Sequence, residues 1–343
     1  MNPMKKYLFL LFSFFYSHFL LAQAPSIIWD KTIGGNGQDL RPTMITTSDG
    51  GFVIVGQSPS DISGDKSEAN KGGNDYWVVK LNSNGQKVWD KTIGGNGLEE
   101  TPTITATSDG GLFIAGTSSS NISGDKSEAN KGMRDYWVVK LNSNGQKVWD
   151  KTIGGNYSDI VSAIIATNDG GFAVAGSSNS SMGYDKSESS PANEYAYWIV
   201  RFNGSGQKLW DKTFAGSRYD IHNVDVAKSI ITTSDGGFVI AGTSSSDISG
   251  DKSEARKGSD DYWVIKLNSN GQKVWDKTIG GSGADDVTSI ITTTDGGFVV
   301  VGTSSSSISG DKTEASKGYQ DYWIVKLNSN GQKVWDKTIG GSK

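Results

Sequence analysis

The residues with chemical potential in this 343-residue chain are acidic side chains at fixed spacing. Asp65, Asp125, Asp185, Asp251 and Asp311 occupy matching points of a recurring Gly-Asp-Lys-Ser-Glu string or a close variant. Glu68, Glu128, Glu188, Glu254 and Glu314 follow, each three residues on. A second series, Asp39, Glu99, Asp159, Asp225 and Asp285, lies ten residues ahead of the aspartate of a tight turn. Hard oxygen donors converging from loops are what calcium takes, and Asp61 adds a further carboxylate in the first copy. The same groups have a structural use, since loop carboxylates accept backbone N–H bonds and brace turns. Both readings stand. The position of Asp61 becomes Asn121, Ser181, Asp247 and Ser307 in the other copies, so donor strength falls in two of them, and EF-hand spacing is absent.

Other chemistries lack their parts. Zinc sites need His or Cys clusters, and the chain has no cysteine and only two histidines. A Ser-His-Asp nucleophile would have to use His222, with no Gly-x-Ser-x-Gly turn near it. The glycine-rich strings sit in β turns, where no phosphate-binding loop opens a helix. Paired carboxylates for glycoside cleavage remain open, although near-identical copies offer no unique pair. The sequence therefore points away from an enzyme.

What positions the acids is a tandem repeat. Trp29, Trp89, Trp149, Trp210, Trp275 and Trp335 recur in V-W-D-K-T-I-G-G or a relative, with gaps of 60, 60, 61, 65 and 60. Trp77, Trp137, Trp198, Trp263 and Trp323 recur in D-Y-W-V-V-K-L, so the two series absorb all 11 tryptophans. Each unit reads as four short strands. A Thr/Ile strand (289–294 is an example) turns at Asp-Gly-Gly into a second at 52–56; a long polar loop leads to a third at 76–81. Asn-Ser-Asn-Gly then turns into a fourth at 87–93. The third strand is apolar on both faces, as suits a sheet sandwiched between two neighbours. The fold expected is all-β: a β-propeller of five four-stranded blades, with units at about 43–95, 103–155, 163–216, 229–281 and 289–341. Residues 26–35 repeat the fourth strand once more, so an extra N-terminal strand is expected, in competition with 333–339 for one place.

Residues 1–24 read as a signal peptide. Lys5 and Lys6 precede an apolar run too short to span a bilayer, and Ala22 and Ala24 flank a cleavage site. The remainder, 25–343, is expected to be one repeat domain, secreted to the periplasm, the cell surface or beyond. Losing two lysines moves the formal charge from −4 to −6, which disfavours nucleic acid and anionic lipid as partners.

The combination W-x-K-T-I-G-G, D-G-G-F, D-Y-W-V-V-K-L and G-Q-K-V-W resembles repeat proteins exported by Bacteroidota, over nearly all of the chain past residue 24. The resemblance implies a β-propeller and brings no catalytic residues. Relatives of that kind often carry a C-terminal type IX sorting domain, which this sequence lacks.

The expected function is a non-catalytic module that binds a glycan or protein at the cell surface. Its binding face is the one carrying the long loops, because the tight hairpins share the opposite face. Length changes in units three and four fall on the long-loop face and bring Arg218, Tyr219 and His222 there. The alternative is a polysaccharide-active hydrolase using carboxylates of that face.

Overall fold

The computed structural model describes residues 26–191, 194–216 and 225–342. The expected signal peptide, and Arg218, Tyr219 and His222, lie outside the described residues. The chain divides after Lys31; residues 26–31 stand as a segment of their own, and the repeat body follows from Thr32.

The body holds five four-stranded antiparallel sheets, each a simple meander in chain order. Blade 1 is β1 (Leu40–Thr46), β2 (Phe52–Ser58), β3 (Asp75–Leu81) and β4 (Lys87–Ile93). Blade 2 is β5 (Glu99–Ala106), β6 (Leu112–Ser118), β7 (Asp135–Leu141) and β8 (Lys147–Ile153). Blade 3 is β9 (Asp159–Ala166), β10 (Phe172–Ser178), β11 (Ala196–Phe202) and β12 (Lys208–Phe214). Blade 4 is β13 (Asp225–Thr232), β14 (Phe238–Ser244), β15 (Asp261–Leu267) and β16 (Lys273–Ile279). Blade 5 is β17 (Asp285–Thr292), β18 (Phe298–Ser304), β19 (Asp321–Leu327) and β20 (Lys333–Ile339). First strands of successive blades neighbour one another, so strand order runs outward from the inside of the array. This is the propeller arrangement the sequence led us to expect.

Both hairpins are closed by side chains acting on their own backbone. Gly50 sits at φ 76°, and Asp49 Oδ1 accepts from the Gly51 N–H and from Lys80 Nζ, at 3.0 and 2.8 Å. In the second hairpin Asn82 Oδ1 accepts from the N–H groups of Asn84 and Gln86, both at 3.0 Å. Asn and Asp side chains are suited to folding back this way at such short range.

Two expectations shift. The first strands of blades 2 to 5 begin at Glu99, Asp159, Asp225 and Asp285, ahead of the expected starts. A bulge intervenes, between Glu100 and Thr103 in blade 2 and between Val287 and Ser289 in blade 5, which breaks the alternation that would have revealed the earlier residues. Nor do residues 26–35 form a strand; among the described residues none precedes Leu40. A fourth strand needs the edge of a third, and the described residues ahead of Leu40 supply none.

The seams between blades carry the core. Tyr76, Tyr136, Tyr197 and Tyr262 each lay their ring on the tryptophan of the next blade, Trp137, Trp198, Trp263 and Trp323, at centroid distances of 5.5, 4.8, 4.8 and 5.0 Å. Each phenol donates to a backbone carbonyl there: Thr117 for Tyr76, then Trp198, Trp263 and Trp323, at 3.2 to 3.3 Å. The ring pair adds about 0.5–1.5 kcal/mol beyond its buried area. Room for the phenol comes from a missing side chain. A Cβ at Gly116, Gly176, Gly242 or Gly302 would collide with the tyrosine oxygen of the blade before it and also with a first-strand carbonyl of its own blade, the nearer of the two at Gly176, Gly242 and Gly302. In blade 1 a Cβ at Gly56 would meet only the Leu40 carbonyl and Pro42 of its own blade.

This seam geometry predicts that Gly116→Ala, where the Tyr76 oxygen is the nearest obstacle, lowers the thermal midpoint clearly, by an overpacking cost of about 1–3 kcal/mol, while Gly56→Ala costs less. Melting curves of the two variants would check it; equal losses would contradict the seam assignment.

Candidate functional site

The chain leaves each of the first four fourth strands for the next blade through a short crossover, and the repeated carboxylates hold its first two residues. Asp125 Oδ2 accepts from the Gly94 N–H at 3.0 Å, and the Asp125 N–H donates back to the Gly94 carbonyl at 2.8 Å. Next along the chain, the Gly95 N–H donates to Glu99 Oε2 at 3.0 Å, while Glu99 Oε1 accepts from Ser118 and Ser120. The same double clasp joins Gly154 and Gly155 to Asp185 and Asp159, Ala215 and Gly216 to Asp251 and Asp225, and Gly280 and Gly281 to Asp311 and Asp285. Lys71, Lys131 and Lys257 tie one blade to the Asp125, Asp185 and Asp311 clasps of the next. In blade 1 Gly34 and Gly35, from the N-terminal copy of the motif, fill the clasp on Asp65 and Asp39 at 3.2 and 2.9 Å.

The glutamates serve their own blades. Glu68 Oε2 accepts from the Thr92 N–H at 2.8 Å, and Glu128, Glu188, Glu254 and Glu314 repeat the contact on β8, β12, β16 and β20. Asp61 Oδ1 accepts from the Asn70 N–H at 3.2 Å. Among the described residues no group of three or more His, Cys, Asp or Glu side chains is gathered to hold a metal ion. The carboxylates weighed for calcium accept from backbone N–H groups and, at Glu99, Asp125 and Asp185, from serine or lysine side chains as well.

Two acidic series escaped the sequence reading. Asp90 and its counterparts Asp150, Asp211, Asp276 and Asp336 lie buried under the third-strand tryptophan; Trp77 Nε1 donates to Asp90 Oδ2 at 3.1 Å. Burial opposes ionisation of Asp90, yet hydrogen bonds from Ser67, Lys87 and Trp77 outweigh it and hold the carboxyl below the ordinary range. The second series opens the third strand. Asp75, Asp135 and Asp261 are fully buried, and in each Oδ1 has no hydrogen-bond partner. Each faces an acid of the next blade: Glu99, Asp159 or Asp285. Burial, reinforced by that neighbouring charge, pushes Asp135 and Asp261 up to about 6, and raises Asp75 as well. Two acids share one buried seam, and each makes the other harder to ionise. Blade 3 has Ala196 at this position, so its seam with blade 4 carries Asp225 alone. The only sequence signal was the D of D-Y-W, easily taken for a strand-end polar residue.

One hollow lies on the other face. It is a cavity of about 490 Å³ between blades 3 and 4, on the tight-hairpin side, walled by Asp169, Arg201, Leu209, Trp210, Thr233 and Ser269. Its polar groups are engaged: both Asp169 oxygens accept from Arg201 Nη2 at 2.7 Å, and Trp210 Nε1 donates to the Ser269 carbonyl. What the long-loop face presents instead is apolar. Ile62, Ile122, Met182, Ile248 and Ile308 hold one loop position in all five blades and are 62 to 68 % exposed.

Fold and seams define the chain as a β-propeller repeat protein. Among solved structures it is similar to NanB sialidase from Streptococcus pneumoniae, at 9 % identity and a TM-score of 0.54, covering 92 % of this chain and 63 % of that one. It is also similar to a protein of unknown function from Dyadobacter fermentans, at 12 % identity and a TM-score of 0.50, covering 91 % and 86 %. These likenesses concern the fold alone, and the chain spans less than two thirds of the sialidase. No family model and no curated protein matches the chain.

The paired acids set a pH dependence. A carboxyl raised in the folded state binds its proton there and not in the unfolded chain. The stability it contributes is complete below about pH 4 and lost as pH rises through about 6. Asp49 and its hairpin counterparts, held low mainly by Lys80 and the like, are ionised in both states above pH 5 and drop out. Lys126 and Lys186, pushed down to about 8 by burial, act only at higher pH. The thermal midpoint should therefore fall between pH 5 and 7. Asp135→Asn with Asp261→Asn should flatten that slope by about 1 kcal/mol per site and raise the midpoint at pH 7.

Proposed function

We propose that the chain is a non-catalytic binding module, acting outside the cell, that engages an extended partner through the long-loop face. The observation that carries this reading is the fivefold series Ile62, Ile122, Met182, Ile248 and Ile308. A lone exposed isoleucine needs no explanation. Five at one loop position do, because unit three has rewritten its loop to Ser-Met-Gly-Tyr and still places an apolar side chain there. The loops that present them are held by clasps on both flanks, so little ordering entropy is lost on contact.

Equivalent weak contacts on a rigid frame gain by linkage, and their combined effect exceeds any one of them. A glycan or protein with a repeating surface at the cell envelope suits such a face. The carboxylates that a hydrolase would need there are committed to backbone donors, which favours binding over cleavage.

Retention on a panel of immobilised polysaccharides and envelope proteins tests the reading. Ile62→Ser alone should weaken retention about twofold, and serine at all five positions should weaken it by more than tenfold. Equal retention by wild type and the fivefold variant, or release of cleaved sugar by the wild type, would overturn it.

A further inference from the structure

Among the places where blade 3 departs from every other blade, three meet at one hollow. Asn168 stands where the others carry Ser48, Ser108, Ser234 and Thr294; Arg201 replaces Lys80, Lys140, Lys266 and Lys326. Leu209 replaces Val88, Val148, Val274 and Val334. All three line the cavity of about 490 Å³ on the tight-hairpin side of blades 3 and 4. The indole beside them is turned. Trp210 meets Phe238 nearly edge-on, at 75°, whereas Trp149 meets Phe172 at 28°. Leu209 is the extra residue of a bulge, since Arg201 pairs with Trp210 and Phe202 with Lys208. A bulge re-aims the side chains of its strand, and here Leu209 and Trp210 flank the hollow together.

The charged pair of this hollow cancels. Arg201 is buried, and its Nη2 donates to both oxygens of Asp169 at 2.7 Å. Asp169 Oδ1 also accepts from the Thr167 hydroxyl and the Gly171 N–H, at 2.6 and 3.2 Å. Oδ2 keeps a lone pair for a further donor, on a side chain that is 63 % exposed. The exposed amides of Asn168 and Asn270 can each donate and accept. A second hollow, of about 380 Å³, shares Asn168, Thr232 and Thr233 with the first and continues over Thr292 and Thr293 of blade 5. We propose that the hollow beside Trp210 binds a neutral oligosaccharide, one sugar ring against Leu209 and Trp210 and the chain running on over the threonines of blades 4 and 5. A sugar ring carries an apolar C–H face for the first pair and hydroxyls that both donate and accept for Asp169 and the amides. A charged ligand gains little here, because Arg201 already compensates Asp169, and burying a charge without a partner is costly. The site lies on the face opposite the loop tips and does not rest on the reading of those tips.

The probes are maltotetraose, cellotetraose, mannotetraose and galactotetraose, with tetragalacturonate as a charged counterpart, each titrated into the full chain by calorimetry. At least one neutral probe should bind one-to-one with a Kd of about 1 mM or tighter. The triple variant Asn168→Ser, Arg201→Lys, Leu209→Val restores residues that other blades already carry, so it keeps the fold. It should weaken that binding at least tenfold at an unchanged thermal midpoint. Leu209→Ser, at an exposed position, provides the same comparison should the triple variant melt early. Serine at the five loop tips should leave the affinity within twofold. No binding of any neutral probe, or equal binding by wild type and the Leu209 variants, would overturn the proposal. So would tighter binding of tetragalacturonate, or loss of binding in the loop-tip variant, which would put the sugar on the other face.

Discussion

A tyrosine of one blade seated on a tryptophan of the next, above a glycine, is the contact on which the rest of the structure depends. It requires the third strand to be buried on both faces, and β3, β7, β11 and β15 are buried throughout. It requires a glycine in the middle of each second strand, where glycine would otherwise weaken a sheet. It also brings the starts of neighbouring strands together tightly enough that two buried carboxyls meet. The seam is thus at once the main apolar contact and the place where buried charge is hardest to accommodate. Neighbour-to-neighbour stability of this kind is the usual economy of repeat proteins.

The carboxylates read differently once the seam is known. Each chemical possibility offered by their spacing, a calcium cage or a hydrolytic pair, needs oxygens left over after the fold is built. The clasps leave few. Two successive N–H groups leave each fourth strand with no sheet partner, and a buried unpaired N–H costs about 1–3 kcal/mol. Two acids per blade answer that need. What the clasps hold out to solvent are the apolar loop tips, Ile62, Ile122, Met182, Ile248 and Ile308.

Strands, hairpins and blade number were legible in the sequence because their causes are local. Asp-Gly-Gly and Asn-Ser-Asn-Gly contain the side chain and the positive-φ residue of the turn they make. The uses of Asp125 and Glu99 were not legible in the same way. The N–H that Asp125 holds belongs to Gly94, 31 residues earlier and in another blade. Asp75 and Glu99 look like unrelated polar residues until the seam sets them face to face. The N-terminal W-D-K-T-I has the composition of a strand, yet a strand is defined by its neighbour, and composition does not report that. The cavity beside Trp210 was hidden for a similar reason, since it is walled by residues of two blades.

The seam also has a direction. Each of blades 1 to 4 offers a tyrosine forward to the blade after it, so a finished blade is a template for the blade encoded next. A chain emerging from the ribosome from its N-terminus, as every chain does, meets these templates in the order in which they are needed. Gly34 and Gly35 settle the first clasp before blade 1 is complete, and each later clasp closes on glycines, or on Ala215 and Gly216, already made. Five nearly interchangeable units could pair in many wrong orders if released together. Vectorial synthesis removes that choice by presenting one open tyrosine at a time.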